Sequence, residues 1–269
     1  LEDGSRVNIV LNPIAINGPI LTIRKFPEHP ITMQDLIEWG ALNEELANLF
    51  SDLVRAGYNI FVCGGTGSGK TTFLNAISNY IKKERVVTIE DSAELRLSSV
   101  ENLVRLETRN KNVEGENEIT IRDLIRSSLR MRPDRIIVGE VRGEEALDLL
   151  QAMNTGHDGS LSTGHGNSPQ DMLSRLEIMV LMGVEMPISA IRAQIASAID
   201  ILVFLGRLRD RSRKVLEIVE LTGYENGEIQ IHPLYQFVET GQEKGRIQGE
   251  WRGSKERLKM RKKLLAAGI

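Results

Sequence analysis

The sequence is short of several residue types, and each shortage excludes or disfavours a class of protein. Its one cysteine, Cys63, excludes an internal disulfide framework and a cysteine-rich zinc site within the 269 residues. Aromatic residues make up 4% and the formal net charge is −3, a poor composition for stacking on bases or for a basic groove along nucleic acid. No apolar run approaches the roughly 20 residues of a membrane-spanning helix. We therefore expect a globular, cytoplasmic chain.

The order of the predicted elements divides the chain into three parts. Two strands and a short helix in residues 1–42 indicate the C-terminal part of an N-terminal α+β domain with its linker. Because the chain begins without Met, inside a predicted strand, we expect a fragment of a longer protein. Residues 43–206 alternate helices with apolar strands, which is typical of a mostly parallel α/β sheet covered on both faces. Residues 207–269 form a smaller extension, with a β-hairpin turn at Asn226 and Gly227 and a basic helical tail.

A glycine-rich segment, GGTGSGKTT, lies between a predicted buried strand and a predicted helix. Its spacing matches a P-loop, in which backbone N–H groups and the helix N-terminus surround a phosphate chain. Lys70 would reach the β- and γ-phosphates of a nucleotide, and the Thr71 hydroxyl would bind Mg²⁺. The predicted nucleotide-binding residues are Gly64, Gly65, Thr66, Gly67, Ser68, Gly69, Lys70, Thr71 and Thr72.

Carboxylates follow two other predicted strands. RIIVGE ends in Glu140, with Gly139 in the position where an aspartate is more usual, and VVTIE ends in Glu90. Hydrolysis of Mg-ATP needs one carboxylate near the metal and another that orients the attacking water. The alternative is that these side chains only solvate the ends of strands.

Two histidines, His157 and His165, flank the short predicted strand SLSTG. A polar residue at the end of a central strand can contact the γ-phosphate or its water, and we favour that interpretation. The alternative is a pair of structural histidines with satisfied ring nitrogens.

Four blocks between residues 64 and 169 carry a family resemblance: GGTGSGKTT, TIEDSAEL, RPDRIIVGEVRG and TGHDGSLSTGHGNSP. In this order they resemble the Walker A, Asp-box, atypical Walker B and His-box motifs of the type II/IV secretion and pilus-assembly traffic ATPases. DGSRVN, LTIRKF and RLETRNKNVEGENEIT are most similar to the tight-adherence pilus branch, the CpaF/TadA-like proteins. With these segments the resemblance extends from residue 3 to about residue 240.

This resemblance implies a hexameric, RecA-like P-loop ATPase that uses ATP and Mg²⁺. Such an enzyme would power pilus assembly or secretion at the cytoplasmic face of the inner membrane, where it would bind a platform protein and not nucleic acid. Residue by residue, Glu140 matches the Walker B position near Mg²⁺, and a Gly-Glu pair is normal there. Glu90 of the Asp-box is favoured as the activator of water, although the choice between Glu90 and Glu140 stays open. His157 and His165 match the His-box.

A ring ATPase also needs positive charge at the γ-phosphate. The resemblance points to the N-terminal domain as its source, and Arg6 and Arg24 lie on the two predicted strands there. Arg105 and Arg109 are second candidates. Each of these arginines has the alternative of a surface ion pair.

Two rival functions stay open at this stage. A RecA-like enzyme that moves DNA would share the core fold, and Arg122, Arg126 and Arg130 would form a basic helix stripe for it; a solvated or subunit-contacting face is the favoured interpretation of that stripe. A nucleotide-gated binding module would bind ATP and hydrolyse almost none. Stimulation by single-stranded DNA would distinguish the first, and measured turnover would distinguish the second.

Overall fold

The structure is a computed structural model that describes residues 5–25, 29–112, 114–255 and 258–269. Its strands are β1 (Arg6–Val10), β2 (Ile20–Arg24), β3 (Ile60–Gly64), β4 (Arg85–Glu90), β5 (Asn102–Glu107), β6 (Arg135–Val141), β7 (Leu161–Gly164), β8 (Ile201–Arg207), β9 (Arg213–Glu225), β10 (Glu228–Glu243) and β11 (Arg246–Gly253). Its helices are α1 (Met33–Glu38), α2 (Glu44–Arg55), α3 (Lys70–Ser78), α4 (Ile121–Ser128), α5 (Glu145–Asn154), α6 (Pro169–Gly183), α7 (Ile188–Ala198) and α8 (Lys262–Ala266).

The chain divides into two compact units, Leu1–Ile31 and Thr32–Ile269. In the first unit β1 and β2 form an antiparallel pair in which Arg6 lies opposite Arg24. Most apolar side chains of this pair are exposed, Ile9 and Leu21 among them. The boundaries predicted after residues 42 and 206 remain predictions.

The second unit is built on one sheet of nine strands in the order β11-β10-β9-β8-β3-β7-β6-β4-β5. The strands from β8 to β5 in this order are parallel, and β8, β9, β10 and β11 pair in antiparallel fashion. Strand β3 is buried along its whole length, because helices cover both faces of a parallel sheet. The predicted α/β architecture is therefore confirmed.

Local sequence signals explain where the helices begin. Thr32 caps α1 and Thr120 caps α4, each in a capping box, and Asn43 caps α2 by accepting from the Leu46 N–H at 3.0 Å. Apolar residues at helical spacing then turn one face of each helix to the core. In α2 the buried residues are Leu46, Ala47, Phe50, Leu53 and Val54. A fully buried side chain of this kind contributes about 1.5 to 3 kcal/mol.

The C-terminal strands extend the same sheet. Asn226 and Gly227 turn between β9 and β10 with φ angles of +54° and +85°, so the predicted hairpin is confirmed, and both angles fit a type I′ turn. Strand β11 was not predicted from the sequence. It pairs with β10, and the Trp251 indole donates to the Val215 carbonyl at 2.7 Å.

The tail after β11 docks against the amino ends of the parallel strands. The buried Glu220 carboxylate accepts the N–H groups of Lys259 at 2.8 Å and Met260 at 2.6 Å. Lys263 Nζ lies 2.7 Å from Asp200 Oδ2 and 2.8 Å from Asp158 Oδ1. Asp200 directly precedes β8, and Asp158 lies shortly before β7. The tail therefore lies at the amino ends of the parallel strands, opposite the glycine-rich loop.

Among the described residues, no single helix is both long and apolar enough to cross a membrane. Helices α6 and α7 meet the criteria of length and composition only as a pair, and that pair is bent by 119°.

Candidate active site

The glycine-rich loop between β3 and α3 has a backbone that few other residues could adopt. Gly67 and Gly69 have φ angles of +73° and +97°, in the left-handed region that favours glycine. A Cβ on Gly64 would stand 2.4 Å from the Leu205 carbonyl oxygen and 2.5 Å from Ser68 Oγ. Glycine is therefore required here by shape, and the loop can turn its N–H groups toward an anion.

Helix α3 begins directly after this loop, with Gly69 at its N-cap and no side chain bonded to its first turn. Lys70, Thr71 and Thr72 form that first turn. Unbonded N–H groups and the positive end of the helix dipole make such a terminus attractive to phosphate. The nine residues predicted to bind nucleotide thus form one continuous loop and the start of a helix, at the carboxyl ends of the parallel strands.

Lys70 is buried at the base of the loop. Its ammonium donates to the carbonyl oxygens of Gly64 at 3.0 Å and Gly65 at 3.2 Å, and it lies 3.4 Å from His165 Nδ1. Burial lowers the pKa of the Lys70 ammonium, and the nearby Glu140 carboxylate acts in the opposite direction. The Lys70 ammonium is therefore held at the base of the loop by backbone carbonyl groups.

Glu140 lies near the end of β6 and is contacted from two sides. Its Oε1 is 2.7 Å from His165 Nε2, and its Oε2 accepts from the Arg142 guanidinium, with Nε at 2.9 Å. Burial and the positive charge of Lys70 lower the pKa of His165. The 3.4 Å between Lys70 Nζ and Nδ1 fits a neutral imidazole that accepts at Nδ1, whereas the 2.7 Å between Nε2 and Glu140 Oε1 is a close approach that is not aligned as a hydrogen bond. The structure thus brings together three of the predicted residues, Lys70, Glu140 and His165.

Arg142 is a member of this group that sequence reasoning missed. Its Nη1 lies 3.2 Å from Asp91 Oδ2, so its side chain links Glu140 to the residue that follows β4. Its backbone N–H donates to Glu145 Oε1 at 2.6 Å, which fixes the turn after β6. Its position two residues after Glu140, at a strand end, was the signal that could have identified it.

Glu90 is buried at the end of β4, and its surroundings explain the unusual Gly139. Oε1 of Glu90 accepts the N–H groups of Glu94 and Leu95, both at 2.9 Å. A Cβ on Gly139 would stand 3.0 Å from Glu90 Cγ, so the glycine on β6 leaves room for this carboxylate. Burial raises the pKa of Glu90, although the two N–H donors oppose this effect. A raised pKa suits a general base.

Several polar groups in this region remain to be satisfied by a ligand. Glu90 Oε2, Glu140 Oε1 and Ser68 Oγ are buried and have no hydrogen-bond partner among the described residues. Buried polar atoms without partners are rare and call for an explanation. Together with the uncapped start of α3, they fit a site that is completed by a phosphate chain and its Mg²⁺ ion, for which Thr71 and Glu140 supply suitable oxygen donors.

His157 lies apart from this group. It precedes β7, whereas His165 follows that strand, and β7 runs parallel to β3. His157 therefore lies near the amino ends of the strands, opposite the glycine-rich loop. Its Nδ1 is 3.1 Å from the Ala152 carbonyl oxygen, so the ring already has a partner within its own subunit.

The candidate arginines lie in two places. Arg105 is on β5, opposite Thr88 of β4, and its charge lowers the pKa of Glu90. Arg109 donates to the Asn117 carbonyl at 2.8 Å and lines a cleft of about 350 Å³ that Arg142 also lines.

Arg6 and Arg24 belong to the separate N-terminal unit, where they face each other across the β1–β2 pair. Their part in hydrolysis stays a prediction.

The supposed basic stripe on α4 has partners inside the protein. Arg122 Nε and Arg126 Nε each lie 2.9 Å from the Asp148 carboxylate of α5. Arg122 Nη1 also lies 2.6 Å from Glu144 Oε2. These ion pairs join α4 to α5, so two of the three stripe arginines serve the contact between helices.

The chain belongs to the family described as "Type II/IV secretion system protein", whose model matches residues 3–247. Among curated relatives, a putative conjugal transfer protein of Mycobacterium tuberculosis is 42% identical over 217 residues, which are 80% of this chain and 61% of the relative. The conjugal transfer protein TrbB of Rhizobium radiobacter is 36% identical over 240 residues, 88% of this chain and 70% of that protein. The chain thus spans about three fifths of the length of the mycobacterial relative.

A solved relative has the same fold. The crystal structure of the VirB11 ATPase from the Brucella suis type IV secretion system, in complex with sulphate, superposes with a TM-score of 0.60 at 30% identity. The match covers 82% of this chain and 72% of that one. The predicted RecA-like P-loop core and the predicted family are therefore confirmed.

Proposed function

We propose that this protein is an ATPase motor that hydrolyses Mg-ATP to power pilus assembly or protein secretion at the cytoplasmic face of the inner membrane. The observation that carries the proposal is the contact of Lys70 with both the P-loop carbonyls and His165, which in turn contacts Glu140. A lysine at a phosphate cradle, joined to a strand-end carboxylate, is the arrangement that phosphoryl transfer needs.

Each part of the loop has a role in binding. The N–H groups from Gly65 to Thr72 surround the phosphates, and Lys70 moves from the loop carbonyls to the β- and γ-phosphate oxygens. Thr71 and, more distantly, Glu140 would hold a Mg²⁺ ion, which would supply positive charge to the phosphate oxygens. His165 lies between Lys70 and Glu140 and positions both side chains, because its ring contacts each of them.

The chemical step is assigned to the buried carboxylate. Glu90 is fixed by two backbone N–H groups through Oε1, which leaves Oε2 to accept a proton from an attacking water. Its raised pKa makes this carboxylate a stronger base, which suits the removal of a proton from water. Arg142, which already binds Glu140, joins Arg6, Arg24, Arg105 and Arg109 as a candidate source of charge for the γ-phosphate.

We further propose a homohexamer of the tight-adherence pilus type that binds an inner-membrane platform protein. The support is the quoted sequence blocks outside the shared motifs, above all RLETRNKNVEGENEIT. In such a ring the nucleotide would lie near a subunit boundary, and we assign His157, which is remote from the P-loop of its own chain, to a contact across that boundary. The molecular mass in solution, measured with and without a non-hydrolysable ATP analogue, tests the ring.

The DNA-moving alternative has less support, because Arg122 and Arg126 are engaged by Asp148. Only a measurement of ATP turnover distinguishes the motor from the nucleotide-gated binding module.

The decisive experiment removes the Lys70 ammonium. Lys70→Ala should lower ATP hydrolysis by about 100-fold or more, because a charged contact to the transferred phosphoryl group is lost. Phosphate release is measured with Mg²⁺ and with EDTA in its place. Lys82→Ala is the matched control, since Lys82 is an exposed lysine beyond the end of α3. Normal hydrolysis by Lys70→Ala would disprove the site.

A further inference from the structure

Arg213 reaches the P-loop from an element that no motif includes. It is the first residue of β9, and the preceding turn is fixed by Asp210, which accepts the N–H groups of Ser212 at 2.9 Å and Ile247 at 2.8 Å. Strand β8, which leads into this turn, pairs with β3 so that Leu205 lies beside Gly64. The β8–β9 turn is therefore held close to the tip of the P-loop.

The side chain of Arg213 spans that tip. Its Nε donates to the Gly67 carbonyl oxygen at 2.8 Å, and its Cδ lies 3.4 Å from the position that a Cβ on Gly69 would occupy. It therefore bonds to one left-handed glycine of the loop and occupies the space beside the other. Arg213 is exposed, and Nη1 and Nη2 form no hydrogen bond with any described residue.

Holding this loop has a physical value, because glycine loses more conformational freedom on ordering than any other residue. Gly65, Thr66 and Gly67 are all exposed, so the core does little to order them. A guanidinium bonded to the Gly67 carbonyl fixes the turn, and its charge favours an anion on the inner side of the loop.

We propose that Arg213 is a positioning residue of the nucleotide site, which orders the P-loop tip and adds positive charge beside the bound phosphates. The start of β9 is then part of that site. The inference rests on the nucleotide site proposed above, and it concerns affinity more than chemistry, because Arg213 contacts the outer side of the loop.

The test separates affinity from turnover in the full chain. Binding of a fluorescent ADP analogue and steady-state ATP hydrolysis are measured for Arg213→Ala, Arg213→Lys and Lys70→Ala. Arg213→Ala should raise Kd and KM about tenfold, since one charge-assisted hydrogen bond is lost, and kcat should stay within about twofold. Arg213→Lys should recover part of the affinity because it keeps the charge.

The matched control is Arg252→Ala, which removes an exposed arginine that pairs with Glu250 on β11 of the same sheet. Its affinity should equal that of the wild type. An unchanged Kd in Arg213→Ala, or a lower kcat at unchanged Kd, would overturn the role of Arg213. If Lys70→Ala also bound nucleotide normally, the nucleotide site itself would be wrong, which is a separate result.

Discussion

At the scale of single residues, the Glu90 carboxylate combines burial with an incomplete set of partners. Oε1 accepts two backbone N–H groups, and Oε2 has none among the described residues. Burial of an ionised carboxylate costs free energy unless the group is paired and hydrogen-bonded, so the open Oε2 favours a role in function over a purely structural one. Glu140 also has one buried oxygen without a hydrogen-bond partner, Oε1. The two carboxylates differ in their other oxygen, which accepts from the Arg142 guanidinium in Glu140 and from backbone N–H groups in Glu90.

We predict that Glu90→Gln and Glu140→Gln separate binding from chemistry. Each keeps the size and loses the charge, so ATP should still bind while turnover falls by about two orders of magnitude or more. Single-turnover hydrolysis and nucleotide affinity are measured for both. Glu107→Gln is the control, because Glu107 is an exposed residue directly opposite Glu90 on the neighbouring strand. Normal hydrolysis by both variants would show that neither carboxylate acts in catalysis.

A second prediction concerns Gly139. Gly139→Ala would put a methyl group 3.0 Å from Glu90 Cγ, and such overpacking costs about 1 to 2 kcal/mol. The displaced carboxylate should lower kcat about tenfold, since misplacement of a reacting group is costly, while nucleotide affinity stays unchanged. Gly241→Ala is the control because a Cβ there meets no atom within 4 Å. Wild-type kcat in Gly139→Ala would mean that Glu90 tolerates displacement or has no catalytic part.

At the scale of elements, the parallel strands have two functionally distinct ends. The carboxyl end bears the P-loop, and the amino end receives α8 through the ion pair of Lys263 with Asp200. Asp200 Oδ2 also accepts the Asn59 N–H at 2.7 Å, which ties α8 to the start of β3. A substitution at the amino ends of the strands can thus alter the stability of the fold without changing the P-loop at their carboxyl ends.

We predict that Lys263→Ala destabilises the fold by about 2 kcal/mol at neutral pH, because it leaves Asp200 without its cation. Burial raises the pKa of Asp200 and Lys263 lowers it, so the variant should raise this pKa further. The loss of stability should therefore be complete above the pKa that Asp200 has in the variant, and it should shrink as acid protonates this carboxyl group. Urea unfolding at pH 7 and pH 4 measures it. Lys262→Ala, the exposed neighbour, should have no effect, and an equal loss at both pH values would contradict the assignment.

The sequence predicted what depends on local patterns. The P-loop and the Asn226–Gly227 turn are each specified within a few residues, so both could be predicted directly. Arg213 was missed because it lies 146 positions from Gly67 in the sequence. Strand β11 was missed because it forms by pairing with β10, which its own sequence does not indicate. Gly139 was seen as a departure from the usual aspartate, but its reason lies on the adjacent strand.

At the scale of the whole molecule, the N-terminal unit is a two-stranded pair with exposed apolar side chains. An isolated pair of strands is marginally stable in water. The two strands of this unit carry two of the candidate arginines, Arg6 and Arg24.

We predict that Arg24→Ala lowers turnover far more than nucleotide affinity, because charge at the γ-phosphate matters most in the transition state. Deletion of residues 1–30 should have the same effect. Hydrolysis and affinity are compared at fixed protein concentration, with Lys25→Ala as the control, since Lys25 is the next residue and is also exposed. Wild-type turnover in Arg24→Ala and in the deletion would make the unit a passive scaffold and move attention to Arg105, Arg109 and Arg142.

The contact of Gly64 with the Leu205 carbonyl also has a consequence for genetics. Any side chain at this position meets the backbone of β8 at 2.4 Å, and backbone cannot step aside as a flexible side chain can. Gly65, in the same loop, has open space where its Cβ would stand. In a library of all single substitutions, changes at Gly64 should therefore reduce the cellular abundance of the protein together with its activity, whereas changes at Gly65 should leave abundance near normal.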